Sequence, residues 1–131
     1  MKKIKSSYLL LLFSIVVLDR TTKFFLETKA KNYGAAFGIL KGHSLLFILA
    51  AFIVIIVISC YFCKYNGKKL RLGLILILSG TIGNLIDRIY YGYVIDIIKL
   101  PFFNFPAFNI ADISNIIGAI LLATFITGKK Q

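Results

Sequence analysis

The chain has 131 residues, of which 59% are hydrophobic and 16% charged, with 16 lysines and arginines against five acids and a formal net charge of +11. An apolar fraction above the roughly 45–50% of soluble domains excludes an ordinary water-soluble globule and makes lipid the solvent of a single domain, 1–131. One histidine, His43, excludes a histidine metal cluster, so neither a metal nor a cofactor is expected.

A bilayer core of about 30 Å takes about 20 mostly apolar residues per helix. Four segments qualify, over about 5–26, 44–63, 70–88 and 111–127, and predict an all-α membrane protein with four transmembrane helices. The first, opening "MKKIKSSYLLLLFSIVVL", imitates a secretory signal. The following "DRTTKFF" has no small-x-small cleavage site, which predicts a retained helix. Its strictly apolar stretch, Tyr8 to Leu18, is too short to span alone, so the helix continues past Asp19. The second is the most uniformly apolar, with His43 at its mouth as an interfacial residue. Cys60 and Cys63 near its end form a C-x-x-C without a second pair or a redox-motif context, and are read as packing or lipid-facing residues. The third carries Ser79, Gly80, Thr81, Gly83 and Asn84, small or polar groups that let neighbouring helices approach and hydrogen-bond. At its polar end, "GNLIDR", Asn84 lies three residues before Asp87 and four before Arg88, so the three share a face, whereas the adjacent Asp87 and Arg88 do not pair along the helix.

Four spans put both termini on one side. Lys2, Lys3, Lys5, Lys64, Lys68, Lys69, Arg71, Lys129 and Lys130 give that side nine positive charges, and Arg20, Lys23, Lys29, Lys31, Lys41, Arg88 and Lys99 give the other seven. The positive-inside rule then predicts cytoplasmic termini, with all five acids (Asp19, Glu27, Asp87, Asp96 and Asp112) toward the outer face. The excess charge suits anionic lipid headgroups. Because the basic residues are divided between two sides of a membrane, no nucleic-acid partner is expected.

Polar clusters gather at the outer boundary: "DRTTK" (19–23), "NYGAAFG" (32–38), "GNLIDR" (83–88) and "FNIAD" (108–112). Ionisable groups inside a membrane are expensive and face functional interiors. In a chain without histidine or metal chemistry, two aspartates can hydrolyse a peptide bond: one carboxylate activates water and the other, protonated, polarises the carbonyl. Asp96 and Asp112 are the acids that an excursion closing through "LPFFNFPAF" brings together. Asp112 opens the fourth helix, where the dipole favours the ionised form, and a semi-apolar setting with a like charge nearby raises its partner's pKa. Asp112 or Asn109 equally fits a helix cap, which is compatible with catalysis. A small four-helix proton-coupled transporter is the alternative. It would place its carboxylate in mid-helix, yet the central portions of all four segments carry no charge.

In this order and over nearly the whole chain, "DRTTK", "NYGAAFG", "GNLIDRIYYGYVIDII" and "PAFNIAD" resemble the lipoprotein signal peptidase (signal peptidase II) family, bacterial inner-membrane aspartic peptidases. The resemblance implies a multi-pass enzyme of the bacterial cytoplasmic membrane with its active site near the outer leaflet. It removes signal peptides from prolipoproteins just before a cysteine that already bears diacylglycerol; prolipoproteins and membrane lipid are the expected partners, and a monomer is expected. The resemblance puts the catalytic dyad on Asp96 and Asp112 and supporting residues on Asp19, Lys23, Asn32, Asn84, Asp87, Arg88 and Asn109. It also implies a small extracytoplasmic β-cradle and a short extracytoplasmic helix. Only eight residues, Phe24 to Lys31, separate "DRTTK" from "NYGAAFG", a shortening that predicts a reduced cradle. In the loop, Gly34 allows close approach of backbone or lipid, and Phe37 is expected to cover the site against water.

Overall fold

A computed structural model describes residues 5–27, 29–35 and 38–128. Four helices account for most of it: α1 (Ser6–Phe25), α2 (Ser44–Lys64), α3 (Lys68–Tyr91) and α4 (Ile110–Gly128), with strands β1 (Ala30–Asn32) and β2 (Val94–Asp96) between them. The predicted helices fall on the observed ones with one extension. The third begins two residues earlier and runs on to Tyr91, because nothing after Arg88 breaks it before Gly92, which closes the helix in the left-handed conformation with its N–H on the Arg88 carbonyl (3.0 Å).

Helices α2, α3 and α4 are long and apolar enough to cross a membrane. Helix α1 is comparably long but carries Asp19, Arg20 and Lys23 in its last turns. Side-chain burial is inverted relative to a soluble protein. The largest fully buried side chains are Asn109, Asp19, Asp87 and Ser79, while Leu10, Phe13, Ile53 and Ile56 are each more than 60% exposed. Apolar groups facing outward and charges facing inward are what a lipid solvent selects.

Helix α3 is the hub, packing on α1, α2 and α4. Its small residues make this possible. A Cβ on Gly80 would run into the Ala111 carbonyl and the Asn115 side chain, so the α3–α4 crossing needs glycine there. The Ser114 hydroxyl donates across the same interface to the Leu76 carbonyl at 2.7 Å. An apolar core of Ile58, Phe62, Leu74 and Ile75 fills the end of the bundle where α2 meets α3.

The β-structure is slight. Strands β1 and β2 pair antiparallel, Ala30 with Asp96, Lys31 with Ile95 and Asn32 with Val94, and a single bridge joins Ile98 to Phe108. Among the described residues there is no α-helix beyond the four. Residues 33–35 and 38–43 form bends and turns that lead into α2.

Candidate active site

The last turns of α1 and α3 meet in a four-charge cluster. Arg20 donates through Nη1 to Asp87 (2.6 Å) and through Nη2 to Asp19 (2.9 Å), and Lys23 Nζ lies 2.8 Å from Asp19 and 2.7 Å from Asp87. Asp19, Asp87 and Lys23 are buried and Arg20 is half-buried. Two acids against two bases leave the cluster neutral, which is the condition for holding charge away from water. Its remaining acceptor capacity anchors two other elements: Asp19 accepts the Ala111 N–H of α4 (3.0 Å), and Asp87 accepts the Ile95 N–H of β2 (3.1 Å). The elements that carry Asp96 and Asp112 are thereby fixed to one scaffold.

Asp96 and Asp112 have a different environment. Among the described residues, no lysine or arginine nitrogen lies within 4.0 Å of either. Both are held by neutral amides. Asn109, fully buried, precedes the first residue of α4, where its Oδ1 accepts the Asp112 N–H (2.8 Å) and the Asp112 carboxylate accepts its backbone N–H in return (3.1 Å). Its Nδ2 donates to Asp96 Oδ1 (2.9 Å), to Asn84 Oδ1 (3.1 Å) and to the Ile95 carbonyl (3.2 Å). Asn84 completes the link by donating to Asp112 Oδ1 at 2.8 Å. One asparagine thus caps the helix and hydrogen-bonds both Asp96 and Asp112. Burial, followed by the charge of Asp112, pushes the Asp96 carboxyl up to about 6, against the hydrogen bonds from Asn32 and Asn109.

Beside Asp112 runs a groove of about 280 Å³, lined by Asn32, Gly34, Asn84, Arg88, Asp112 and the Phe105–Phe108 segment. A larger cavity, about 570 Å³, lies along Phe24, Lys29 and Tyr91 and is lined by neither Asp96 nor Asp112. The Gly34 backbone is pinned over the groove from two directions: Asn32 Oδ1 accepts its N–H (3.0 Å), and Arg88 Nη2 donates to its carbonyl (3.2 Å). A Cβ on Gly34 would overlap the Ile39 carbonyl, which is why this turn takes glycine. The Arg88 guanidinium also lies 4.8 Å over the Phe47 ring, tying α3 to α2 and the loop together. Phe37 lies outside the described residues.

The sequence matches the family described as signal peptidase (SPase) II over residues 4–127. The chain belongs to the signal peptidase II family. The lipoprotein signal peptidase of Clostridium novyi (strain NT) is 38% identical to it over 141 residues, covering 90% of this chain and 95% of that protein. The lipoprotein signal peptidase of Halothermothrix orenii is 46% identical over 105 residues, covering 79% of this chain and 71% of that protein. Two bacterial membrane enzymes solved by the in meso method, at 2.3 and 1.9 Å, are similar in structure, each with 29% identity. The first has a TM-score of 0.93 and covers 99% of this chain and 93% of that one; the second has a TM-score of 0.86 and covers 95% of each.

Within this signal peptidase II chain, the geometry brings Asp19, Lys23, Asn84, Asp87, Asp96, Asn109 and Asp112 into one continuous hydrogen-bonded network, with Asn32, Gly34 and Arg88 along the groove beside it. Two participants were not among the candidates. Arg20 balances the second acid of the cluster, and simple charge counting signals it: two buried acids with only Lys23 would leave a net negative charge. Asn115, one turn beyond Asp112, lines the groove with a buried Oδ1 that has no hydrogen-bond partner among the described residues and sits against Gly80 at the helix crossing.

Proposed function

We propose that Asp96 and Asp112 are the catalytic dyad of this enzyme. As an aspartic-type signal peptidase it cleaves signal peptides from prolipoproteins; in our reading it does so just before a diacylglyceryl-modified cysteine, using water alone as co-reactant. The supporting observation is the contrast between the two acid pairs. Asp19 and Asp87 are neutralised by Arg20 and Lys23, whereas Asp96 and Asp112 have only neutral amide partners and are free to exchange a proton.

In this mechanism Asp112, accepting hydrogen bonds from Asn84 and Asn109, takes a proton from water as the hydroxide attacks the scissile carbonyl. Asp96, raised to about 6, carries the proton that bonds to the carbonyl oxygen and stabilises the tetrahedral intermediate. Collapse breaks the C–N bond as Asp112 passes its proton to the cysteine nitrogen and Asp96 takes one back from the intermediate's hydroxyl; the signal peptide leaves as a carboxylic acid that ionises by releasing its proton to solvent. The dyad is returned with one proton shared, a property of the pair rather than of either residue.

Helix α1 is the fourth span in this reading. Its charges are consumed inside the bundle, and its outward residues, Leu9, Leu10, Phe13 and Val17, are exposed and apolar. Both termini are then cytoplasmic, and the dyad lies near the outer leaflet, where the substrate's acyl chains hold its cysteine. The proton-coupled transporter gains nothing from the arrangement, because the charged groups gather at the ends of the helices. The test is cleavage of a diacylglyceryl-modified prolipoprotein peptide by the purified protein in detergent. Mass spectrometry should identify a product that begins with the lipidated cysteine. Cleavage at another bond would refute the assignment.

A further inference from the structure

Arg71 lies one turn into α3, at the end of the bundle away from the aspartates, and is only 8% exposed. Its Nε donates to the Tyr65 carbonyl at 3.1 Å and its guanidinium lies 5.1 Å over the Phe62 ring, so it stacks against α2 and holds the α2–α3 turn. Neither partner carries charge. All five acidic side chains fall elsewhere: Asp19, Asp87, Asp96 and Asp112 belong to the network described above, and Glu27 follows the far end of α1. Along α3 alone, sixteen residues separate Arg71 from Asp87. At 1.5 Å per residue this is about 24 Å, well beyond the screening length of about 8–10 Å at physiological salt. With no counter-charge among the described residues, a guanidinium this buried is energetically unfavourable unless a bound anion supplies one.

The surroundings are built to receive it. A cavity of about 450 Å³ opens beside Arg71 between α1 and α3, with Lys5, Ser7, Tyr8 and Lys68 on its polar walls and Leu11 and Leu72 on its apolar ones. Lys5 and Lys68 are exposed, and among the described residues neither ammonium group has an ion-pair partner. Three cations and two hydroxyls converge on one space, next to an outward α1 surface of exposed Leu9 and Leu10.

We propose that this cavity binds the phosphate of an anionic phospholipid in the leaflet at the N-terminal end of α1, with Arg71 as the buried anchor, Lys5 and Lys68 as the outer pair, and the acyl chains lying along α1. Basic recesses between membrane helices recognise lipid headgroups by this combination of buried charge and adjacent apolar surface. The site is separate from the dyad and does not depend on its chemistry.

Native mass spectrometry of the purified protein in a non-ionic detergent, titrated with phosphatidylglycerol, phosphatidylcholine or inorganic phosphate, tests this. Phosphatidylglycerol should be retained as a single tightly held adduct and phosphatidylcholine should not. Removing a basic side chain weakens such binding about fivefold, from about 1 kcal/mol per residue near the surface, so the Lys5→Gln/Lys68→Gln variant, altered only at exposed positions, should bind about 25-fold more weakly. Arg71→Gln should abolish the adduct, and Arg71→Lys should restore part of it. Equal retention of the two lipids, or unchanged phosphatidylglycerol binding in the Lys5→Gln/Lys68→Gln variant, would overturn the proposal. Saturation by inorganic phosphate at the same concentrations would also overturn it, by assigning the site to a soluble anion.

Discussion

Replacing Asn109 by aspartate changes one NH2 group into an oxygen at the point where the two carboxylates are joined. The cap survives, since aspartate serves as well as asparagine before a helix, and Asp112 keeps an acceptor for its N–H. What is lost is the donor that serves Asp96 Oδ1, Asn84 Oδ1 and the Ile95 carbonyl, at 2.9, 3.1 and 3.2 Å. An ionised carboxylate placed 2.9 Å from Asp96 would repel it by about 6 kcal/mol at an effective dielectric of about 20. That corresponds to roughly four pKa units at about 1.36 kcal/mol each. The variant therefore holds an extra proton in the site. Even with half the repulsion relieved by relaxation, the acidic limb of the kcat/KM profile for a lipidated prolipoprotein peptide moves up by about two units. One unit above the wild-type limb, the rate falls about tenfold. Initial rates between pH 4 and 9, with a melting curve to confirm folding, measure the shift. A folded Asn109→Asp enzyme with the wild-type limb would show that Asn109 does not couple the two carboxylates.

Three further outcomes follow from the same geometry. The Asp96 carboxyl is raised from 3.8 to about 6 on folding, so its contribution to stability is fully present below pH 4 and is lost as pH rises through 6; the difference in melting temperature between wild type and Asp96→Asn should change across that window, and parallel curves would contradict it. Asp87→Asn leaves Arg20 and buried Lys23 with one acid between them and should cost about 3–5 kcal/mol, whereas adding Arg20→Gln should recover part of the loss, because the two positions share one network; thermal unfolding in detergent reports both, and additive losses would argue against the neutral cluster. A peptide lacking the diacylglyceryl group forfeits about 0.8 kcal/mol per buried CH2 and should be cut far more slowly at subsaturating concentration, with equal rates counting against membrane-anchored presentation.

Helix positions were legible because each apolar run is bounded by lysines, glycine or a polar cluster. The face shared by Asn84, Asp87 and Arg88 followed from helical spacing alone, and the structure uses the three differently: Asn84 toward the dyad, Asp87 toward Arg20 and Lys23, Arg88 toward the Gly34 loop. Contacts between distant segments were not legible in this way. The pairing of Ala30 with Asp96 spans two helices, and no local pattern in either three-residue strand encodes it. The double role of Asn109 likewise depends on where α3 places Asn84, which accepts from Asn109 and in turn donates to Asp112. Arg71 looked like one more positive charge on the N-terminal side. Only its burial away from every acid sets it apart from Lys68 and Lys69.

The proton chemistry of Asp96 and Asp112 is open to one direct measurement. Purified wild type, Asp96→Asn and Asp112→Asn, each shown to be folded by its melting curve, should be compared on the same diacylglyceryl-modified prolipoprotein peptide. Because asparagine keeps the shape of aspartate but cannot exchange the shared proton, both variants should lose cleavage to the background rate while wild type releases the signal peptide; near-normal turnover by either folded variant would contradict the dyad.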